Sequence, residues 1–301
     1  MNKQIKVGFK HVKYFWKPVQ RLQDYFLGMS YLIKKFNIVI SKNPDFIFTN
    51  IKIPKGNYTR IHLNHENVRP SLDCAEWVFG VDYEDHVNSP RYMREPNYVR
   101  LGAGKDLIDV KRGINKNILD SKTKFCAFVY SVHSKPREQF FELLSKYKRV
   151  DAPGGINNNM LPIGNHKTIR QSRMSRTFGE EKIKFLQDYK FVIAFENASY
   201  PGYCSEKLYH PMLVNSIPIY WGNPLIGRDF NLNSFINPYK EHILHKQQLE
   251  YMVEKVIELD KDDTKYYNMI SQPWYPNNQV NKWARRERII RRYRKIFAGK
   301  L

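Results

Sequence analysis

One predicted helix start in the second half of the chain carries side chains that could bind a phosphate and a sugar. Ser205 is a good N-cap residue, which puts Glu206 and Lys207 in the first helical turn. The free N–H groups and the positive dipole end of a helix N-terminus favour a phosphate, and Lys207 adds a mobile positive charge. Glu206 could accept hydrogen bonds from a sugar diol, and Tyr203 offers a ring and a hydroxyl. The alternative is structural, with Glu206 a favourable first-turn acid and Lys207 a solvated surface residue.

The segments around this helix predict a strand–loop–helix–strand unit. Phe191–Phe195 is an apolar run with the length of a buried parallel strand, and the Asn, Ser, Pro and Gly residues of 196–203 indicate a loop. Ile217–Trp221 is predicted to be the next strand. In such a unit, ligands bind beyond the carboxyl ends of the strands, against the helix N-terminus. Pro211 lies inside the helix, removes one backbone hydrogen bond and predicts a kink.

Strands and helical stretches alternate along the rest of the chain, which predicts layers of parallel α/β structure. The predicted strands of the first half are Ile5–Phe9, Ile38–Ile40, Asp45–Thr49, Arg60–Asn64 and Trp77–Asp82. A polar stretch, Arg112–Lys124, separates them from a second layer that begins with the strand Lys124–Ser131. Pro136 can open the following helix. The basic, weakly patterned segment 160–187 is predicted to be a flexible loop.

The composition indicates a folded protein, more naturally of two domains than of one. The chain has 301 residues, of which 42% are hydrophobic, and this is enough to bury a sizeable core. Its formal net charge of +21 would suit nucleic acid, an anionic membrane surface or an anionic ligand. No zinc-finger, helix-turn-helix or RNA-recognition signature is present, so no nucleic-acid partner is predicted.

The cysteines and the N-terminus bear on the compartment. Cys74, Cys126 and Cys204 are odd in number and widely spaced, so they predict neither a disulfide framework nor a paired metal-ligand site, and a reducing compartment is expected. The N-terminus enters a predicted strand without a signal peptide, and no apolar run reaches the length of a membrane span. These features predict a cytoplasmic protein.

Two groups of residues resemble metal ligands only superficially. His62 and His65 lie three positions apart at the end of a predicted strand, where that spacing does not converge, and no third ligand is apparent. The acidic run Asp260–Asp263 lacks the ligand spacing and glycine turn of a calcium loop and indicates a solvated turn. No metal site is predicted.

The C-terminal segment Lys282–Phe297 predicts a basic amphipathic helix. The apolar residues that share one face are Ile289, Ile290, Tyr293, Ile296 and Phe297. Such a helix can lie on an anionic membrane, which would suit a protein that modifies lipid-linked glycans such as lipopolysaccharide. It can equally pack back across the two domains, and the pattern leaves both alternatives open.

A long string around the predicted helix start resembles a known signature. Phe195-Glu196-Asn197, followed at fixed distance by Tyr203, Glu206-Lys207 and the run Ile217–Gly222, resembles the donor-binding signature of the α-1,3/4-fucosyltransferase family, with the bacterial members nearest in style. The resemblance implies an α/β protein of the GT-B type, with two Rossmann-like domains facing a cleft. It also implies an inverting enzyme that moves L-fucose from GDP-fucose to a sugar hydroxyl, with no essential divalent metal or other cofactor.

The same resemblance assigns a base to the first half of the chain. His65-Glu66-Asn67 is similar to the family's Gly-Glu-Asn segment, whose glutamate is the proposed base, and this implies that Glu66 takes the proton of the acceptor hydroxyl. His65 departs from the pattern, because many bacterial relatives have glycine there. The structural alternative is an ion pair between Glu66 and Arg69.

By resemblance, the donor contacts come from the second half. Arg137 matches the family's phosphate arginine and, with Lys207, is implied to clamp the diphosphate. Asn197 and Tyr203 are implied to contact the nucleotide-sugar, and Glu206 the ribose hydroxyls. Ser131 is implied to help at the end of the second layer's first strand. Two departures occur: Ala198 replaces a hydroxyl residue, and Cys204-Ser205 replaces a common Val-Thr but keeps a hydroxyl at the capping position.

Together these observations predict an N-terminal acceptor-binding domain, a GDP-fucose-binding domain and a basic helix, over residues 1–118, 119–280 and 281–301. The expected activity is fucosyl transfer to a GlcNAc- or Glc-containing oligosaccharide or glycolipid, in 1,3 or 1,4 linkage. Two alternatives stay open. The donor could be another GDP-sugar, or the protein could bind nucleotide-sugars or glycans without turnover. The segment Lys282–Leu301 is expected to offer a contact to an anionic membrane, on its cytoplasmic face.

Overall fold

The computed structural model describes residues 3–10, 13–14, 17–18, 22–175, 177–238 and 245–299. The chain divides into two compact units. The first is drawn from Met1–Gly104, Pro201–Cys204 and Val280–Leu301, and the second from Lys105–Tyr200 and Ser205–Gln279. The four-residue segment Pro201–Cys204 thus belongs to the first unit, although the residues on both sides of it belong to the second.

The strands alternate with helices through both units, as the sequence pattern predicts. The strands are β1 (Ile5–Lys10), β2 (Lys13–Tyr14), β3 (Lys17–Pro18), β4 (Ile38–Ile40), β5 (Phe46–Thr49), β6 (Thr59–Asn64), β7 (Trp77–Gly80), β8 (Tyr92–Arg94), β9 (Lys124–Ala127), β10 (Val150–Asp151), β11 (Tyr189–Phe195) and β12 (Ile217–Trp221). The helices are α1 (Leu22–Phe26), α2 (Tyr31–Phe36), α3 (Glu84–Val87), α4 (Asn97–Arg100), α5 (Asp106–Asp109), α6 (Asn117–Ser121), α7 (Lys135–Ser145), α8 (Ile169–Met174), α9 (Phe178–Leu186), α10 (Glu206–Leu213), α11 (Lys246–Lys261), α12 (Asp263–Ile270) and α13 (Arg286–Phe297).

The first unit is built on a six-stranded sheet in the order β4-β1-β5-β6-β7-β8, whose neighbouring strands are all parallel. The apolar runs of β5 and β7 are buried, because helices cover the faces of such a sheet. Strand β6 ends at Asn64, so the segment that contains Glu66 leaves the sheet at its carboxyl edge.

The second unit contains a four-stranded sheet in the order β10-β9-β11-β12, again with all pairs parallel. After β9 the chain passes through α7 to β10 on one side, whereas β11 and β12 lie on the other side. The strand order therefore reverses between β9 and β11. In open parallel sheets the crevice at such a reversal, outside the carboxyl ends of the strands, is where ligands bind.

The prediction of a flexible loop over 160–187 is wrong, because this segment contains α8 and α9. Helix α8 begins with a capping box in which the side chains of Thr168 and Gln171 each bond the backbone of the other. Helix α9 buries Lys182 together with Leu186. A lysine at a buried position hides the apolar period on which a sequence-based helix prediction depends.

The basic C-terminal helix α13 has its apolar face packed into the first unit. Ile289, Tyr293, Ile296 and Phe297 are buried. The ring centroid of Phe297 lies 5.4 Å from that of Phe36 and 4.8 Å from that of Phe46, so the helix covers aromatic side chains of α2 and β5. Within the described residues, no helix combines the length and the apolar character that crossing a bilayer requires.

This packing predicts that Phe297→Ala destabilises the protein strongly. Truncation of a fully buried phenylalanine removes its transfer free energy and leaves a cavity, which together cost about 3–5 kcal/mol. Denaturant unfolding followed by tryptophan fluorescence measures the loss. The matched control is Arg294→Ala on the exposed face of the same helix, for which a change of about 0.5 kcal/mol or less is expected. Equal effects of the two variants would contradict the packing role.

Candidate active site

The carboxyl ends of β9 and β11 are joined by a buried tyrosine. The hydroxyl of Tyr130 lies 2.9 Å from the carbonyl oxygen of Ile193 and 3.0 Å from that of Phe195. Ser131 lies four residues beyond the end of β9, and Glu196 and Asn197 directly follow β11. The tyrosine therefore holds together the two strand ends between which the sheet order reverses.

Glu196 connects the end of β11 to the start of α10. Its carboxylate is completely buried, and Oε1 accepts hydrogen bonds from the backbone N–H (2.7 Å) and Oγ (2.9 Å) of Ser205. Ser205 Oγ in turn accepts from the backbone N–H of Lys207, so the predicted N-cap is confirmed. Burial raises the pKa of Glu196, and the charge of Lys207 opposes that rise.

Lys207 is held by neighbours, and the alternative of a solvated surface residue is wrong. Its side chain is 19% exposed, and Nζ lies 3.1 Å from Glu206 Oε1, 3.2 Å from Ser205 Oγ and 3.5 Å from Glu196 Oε2. Burial would raise the pKa of Glu206, but the charges of Lys207 and Lys182 outweigh it and hold this pKa well below its usual range. Glu206 is therefore an ionised acceptor.

Three members of this cluster were missed by sequence reasoning. Glu196 stands inside the signature string, where it reads as one more loop residue. Lys182, on α9, is buried in a segment without a clear pattern. His210 shares the buried side of α10 with Leu208, Tyr209, Pro211 and Met212. No local sequence signal distinguishes Lys182 or His210, because the environment of each is set by contacts between separate helices.

Arg137 is a buried cation with unused hydrogen-bonding capacity. Its side chain is 3% exposed, Nε donates to the carbonyl of Phe195 (3.2 Å), and the guanidinium lies 4.4 Å from the centre of the Tyr130 ring. Nη2 is buried and has no hydrogen-bond partner within the described part of the chain, and no carboxylate there pairs with Arg137. An anion at the carboxyl end of β11 would satisfy both the charge and the free N–H groups.

The other residues predicted in this unit lie near the same strand ends. Ser131 Oγ accepts from the backbone N–H of Gly155 (3.4 Å). A Cβ on Gly154 would lie 2.0 Å from the carbonyl oxygen of Tyr130, so only glycine permits this close approach. Asn197 is exposed, and its side chain has no hydrogen bond within the described residues. The structure thus brings Ser131, Arg137, Asn197, Glu206 and Lys207 to one edge of the sheet or to the adjoining helix start.

Tyr203 belongs to the first unit, whereas these five residues belong to the second. It is 6% exposed and follows Gly202, which has a φ of +91°. The carbonyl of Gly202 accepts from Arg94 Nη2 (2.9 Å), and a Cβ on Gly202 would lie 2.2 Å from the carbonyl oxygen of Val81. The position of Tyr203 is therefore set by β8 and the end of β7.

Glu66 is an exposed carboxylate just beyond β6. The backbone N–H of Glu66 donates to Asn64 Oδ1 (3.3 Å), but its carboxylate makes no hydrogen bond or ion pair within the described residues. The alternative ion pair with Arg69 is wrong, since Arg69 Nε lies 3.5 Å from Asp82 Oδ2 instead. The carboxylate is left available for a ligand.

The two histidines before Glu66 are engaged separately. His65 Nε2 lies 3.0 Å from Glu95 Oε2, whereas His62 is buried and its pKa is lowered by that burial. Among the described residues, no group of three or more His, Cys, Asp and Glu side chains is arranged to hold a metal ion.

Comparison with known proteins identifies the family to which this chain belongs. Residues 119–293 match the family model described as glycosyltransferase family 10 (fucosyltransferase) C-term. Protein R654 of Acanthamoeba polyphaga mimivirus, a fucosyltransferase by name, is 35% identical over 84% of this chain. The chain belongs to glycosyltransferase family 10. The family resemblance of the signature string is therefore confirmed.

A crystal structure of an α1,3-fucosyltransferase with GDP superposes with a TM-score of 0.73 and covers 99% of this chain and 92% of that one, at 20% identity. The predicted GT-B fold is thus confirmed. A GDP-fucose protein O-fucosyltransferase 3 of Xenopus laevis is 30% identical over 85% of this chain. The chain spans about half the length of the curated relatives it matches, 43% of R654 and 50% of the Xenopus protein.

The buried His210 predicts that the protein loses stability on acidification. Burial and the charge of Lys182 lower the pKa of His210 from 6.5 to about 3, so the folded state keeps this imidazole neutral. The unfolded state binds a proton near pH 6.5, so between these values it binds more protons than the folded state. The free energy of unfolding must then fall as the pH is lowered, by about 1.4 kcal/mol per pH unit for one such group.

Denaturant unfolding at pH 7, 6, 5 and 4 measures this slope for the wild type and for His210→Gln. The free energy of unfolding of the variant is expected to fall less steeply as the pH is lowered. The difference in slope is about 1.4 kcal/mol per pH unit, the contribution of one titrating group. His133→Gln is the control, because the side chain of His133 is 80% exposed. An unchanged slope in His210→Gln would contradict the prediction.

Proposed function

We propose that this protein transfers L-fucose from GDP-fucose to an acceptor hydroxyl. The observation that carries the proposal is the buried, unpaired guanidinium of Arg137 at the carboxyl end of β11, in a chain of family 10. A diphosphate supplies the charge and the acceptor oxygens that this site lacks. Lys207, in the first turn of α10, supplies a second cation at the positive end of the helix dipole.

The remaining donor contacts follow from the positions of the side chains. Glu206 is ionised and accepts hydrogen bonds, which suits the two ribose hydroxyls of GDP. Asn197 and Ser131 lie beyond the ends of β11 and β9 and are proposed to contact the nucleotide-sugar. Tyr203 is proposed to do so from its segment of the first unit. Because Arg137 and Lys207 hold the diphosphate, we propose that no divalent metal or other cofactor is required, and undiminished activity in EDTA would support this.

The proposed chemistry is a single inverting displacement. The acceptor oxygen attacks the anomeric carbon of fucose, and the bond between that carbon and the β-phosphate oxygen breaks on the opposite side. The departing electron pair stays with GDP, where Arg137 and Lys207 stabilise the growing charge. Glu66 takes the proton of the attacking hydroxyl, and its partner-free carboxylate suits this role.

The acceptor is proposed to be a GlcNAc- or Glc-containing glycan, with fucose added in 1,3 or 1,4 linkage. The matched crystal structure is named an α1,3-fucosyltransferase, whereas the Xenopus relative is named a protein O-fucosyltransferase, so a serine or threonine of a protein is the competing acceptor. A different GDP-sugar as donor and binding without turnover are the two further alternatives.

The test is GDP release from GDP-fucose, with and without N-acetyllactosamine or a β-galactoside. Stimulation by acceptor is expected in the wild type. Glu66→Gln should lower kcat by about 10²–10⁴-fold because the base is lost. Arg137→Lys should lower kcat/KM by about 10²-fold because one amine cannot replace a bidentate fork.

The controls are Glu287→Gln and Arg149→Lys, whose side chains are exposed. If GDP-fucose binds but neither acceptor stimulates release, a peptide acceptor is tried next. Binding without release in the presence of any acceptor would support a binding protein. If GDP-fucose does not bind, the donor assignment is wrong, and GDP-mannose is tested next as the donor.

We also propose a peripheral contact between helix α13 and the cytoplasmic face of an anionic membrane. The apolar face of this helix is buried in the first unit, so the contact cannot be insertion of that face. The opposite face exposes Arg291, Arg294 and Lys295, and each basic residue near an anionic surface contributes about 1 kcal/mol. Electrostatic attraction is therefore the mode that the structure leaves available.

Sedimentation with phosphatidylglycerol vesicles tests this contact. Binding at low salt that disappears at high salt is expected, because counterions screen exposed charges. The triple change of Arg291, Arg294 and Lys295 to Gln should weaken it about a hundredfold.

The charge-matched control changes the exposed residues Lys34, Lys35 and Lys42 to Gln. If the control lowers vesicle binding as much as the α13 variant does, the attraction comes from the net charge alone and the helix has no special role.

A further inference from the structure

His65 is the first link in a chain of hydrogen bonds within the first unit. Its Nε2 lies 3.0 Å from Glu95 Oε2, and the same oxygen accepts from Arg100 Nη1 at 3.3 Å. Arg100 Nη2 donates to the backbone carbonyl of Tyr25 at 2.6 Å. Glu95 and Arg100 are almost completely buried, with 0% and 3% of their surface exposed. The network therefore fixes the orientation of the imidazole through its Nε2 atom.

The backbone of His65 is fixed as well. Its carbonyl accepts a hydrogen bond from Asn97 Nδ2 at 3.2 Å, at the start of α4. The side chain of His65 nevertheless keeps 12% of its surface exposed, and the next residue is Glu66, the proposed base. A rigid ring with one open edge thus lies beside the catalytic carboxylate, at the carboxyl end of β6.

The network determines which ring nitrogen carries the proton. Burial opposes the charge of Glu95, but the hydrogen bond from His65 and the charge of Arg100 outweigh it and lower the pKa of Glu95. Burial and Arg100 also lower the pKa of His65 to about 4, so the imidazole is neutral near pH 7. An ionised carboxylate can only accept, so the proton is on Nε2 and Nδ1 has a lone pair.

The Nδ1 atom has no hydrogen-bond partner within the described residues. The features that keep the ring neutral also make it a weak base, so it does not compete with Glu66 for the proton of the attacking hydroxyl. Nδ1 is therefore a fixed hydrogen-bond acceptor. The ring that carries it is oriented by the buried residues Glu95 and Arg100, and it belongs to the residue that precedes Glu66 in the sequence. Such an atom selects ligands that present a hydroxyl donor.

We propose that His65 Nδ1 recognises the acceptor by accepting a hydrogen bond from one of its hydroxyls, next to the hydroxyl that attacks the donor. His65 is thus a specificity-determining residue for the acceptor, and Glu95 and Arg100 are its positioning residues. The inference rests on the proposed function, because it requires an acceptor bound beside Glu66. It predicts that removal of the Nδ1 hydrogen-bond acceptor weakens binding of the sugar acceptor and leaves binding of GDP-fucose unchanged.

Two isosteric substitutions separate recognition from a merely structural role. In His65→Gln the longer side chain brings an amide N–H near the position of Nε2, so the bond to Glu95 is kept and the Nδ1 acceptor is lost. In His65→Asn the shorter side chain brings an amide oxygen near the position of Nδ1, so the acceptor is kept and the bond to Glu95 is lost.

The experiment measures KM for N-acetyllactosamine, KM for GDP-fucose, and hydrolysis of GDP-fucose without acceptor. His65→Gln is expected to raise the KM of N-acetyllactosamine about tenfold, the worth of one hydrogen bond, and to leave both donor measurements unchanged. His65→Asn is expected to raise the same KM by less. Circular dichroism melts of both variants verify that they are folded.

Two results would overturn the inference while leaving the proposed function intact. One is an unchanged acceptor KM in His65→Gln, and the other is a larger effect of Asn than of Gln, which would show that His65 serves only to hold Glu95. If the wild type itself transfers no fucose to N-acetyllactosamine or to any other acceptor supplied, the proposed function fails and this inference fails with it.

Discussion

The buried carboxylate of Glu196 is the constraint on which the candidate donor site depends. An ionised group without water is costly unless hydrogen bonds and a countercharge surround it, and here Ser205 and Lys207 provide both. To do so they must stand at the first turn of α10, directly opposite the end of β11. The need to satisfy one carboxylate therefore orients the helix start and brings its lysine inward, towards the strand end where Arg137 is also held.

The charges around these strand ends do not balance without a ligand. Lys207 lies beside the carboxylates of Glu196 and Glu206, whereas no carboxylate among the described residues pairs with the buried guanidinium of Arg137. The unpaired charge of Arg137, together with its partner-free Nη2, favours an anion over a neutral ligand. An unpaired charge of this kind uses little of the chain's net charge of +21, much of which is spread over exposed surfaces such as that of α13.

Local patterns predicted the strand–loop–helix–strand unit well, because each of its signals acts within a few residues. The strand Ile217–Trp221 has its predicted bounds, and Ser205 caps α10 as expected. Contacts between distant segments were not predictable in this way. Lys182 is buried because α9 carries it to the start of α10, and Pro201–Cys204 joins the first unit because Gly202 packs on Val81. No short window of sequence contains these partners.

His65 and Glu66, in the first unit, also have environments that no short window of sequence predicts. They show how the fold can separate the two proposed tasks of acceptor recognition and proton transfer. His65 and Glu66 are adjacent in sequence, yet the ring is locked by Glu95, thirty residues away, whereas the carboxylate has no partner within the described residues. The acceptor recognition proposed for His65 needs a fixed group of constant protonation, and burial of a charged network provides it. The proton transfer proposed for Glu66 needs a carboxylate that is not already satisfied, and the ion pair of Arg69 with Asp82 leaves Glu66 in that state. The two environments coexist one residue apart because long-range contacts set each of them separately.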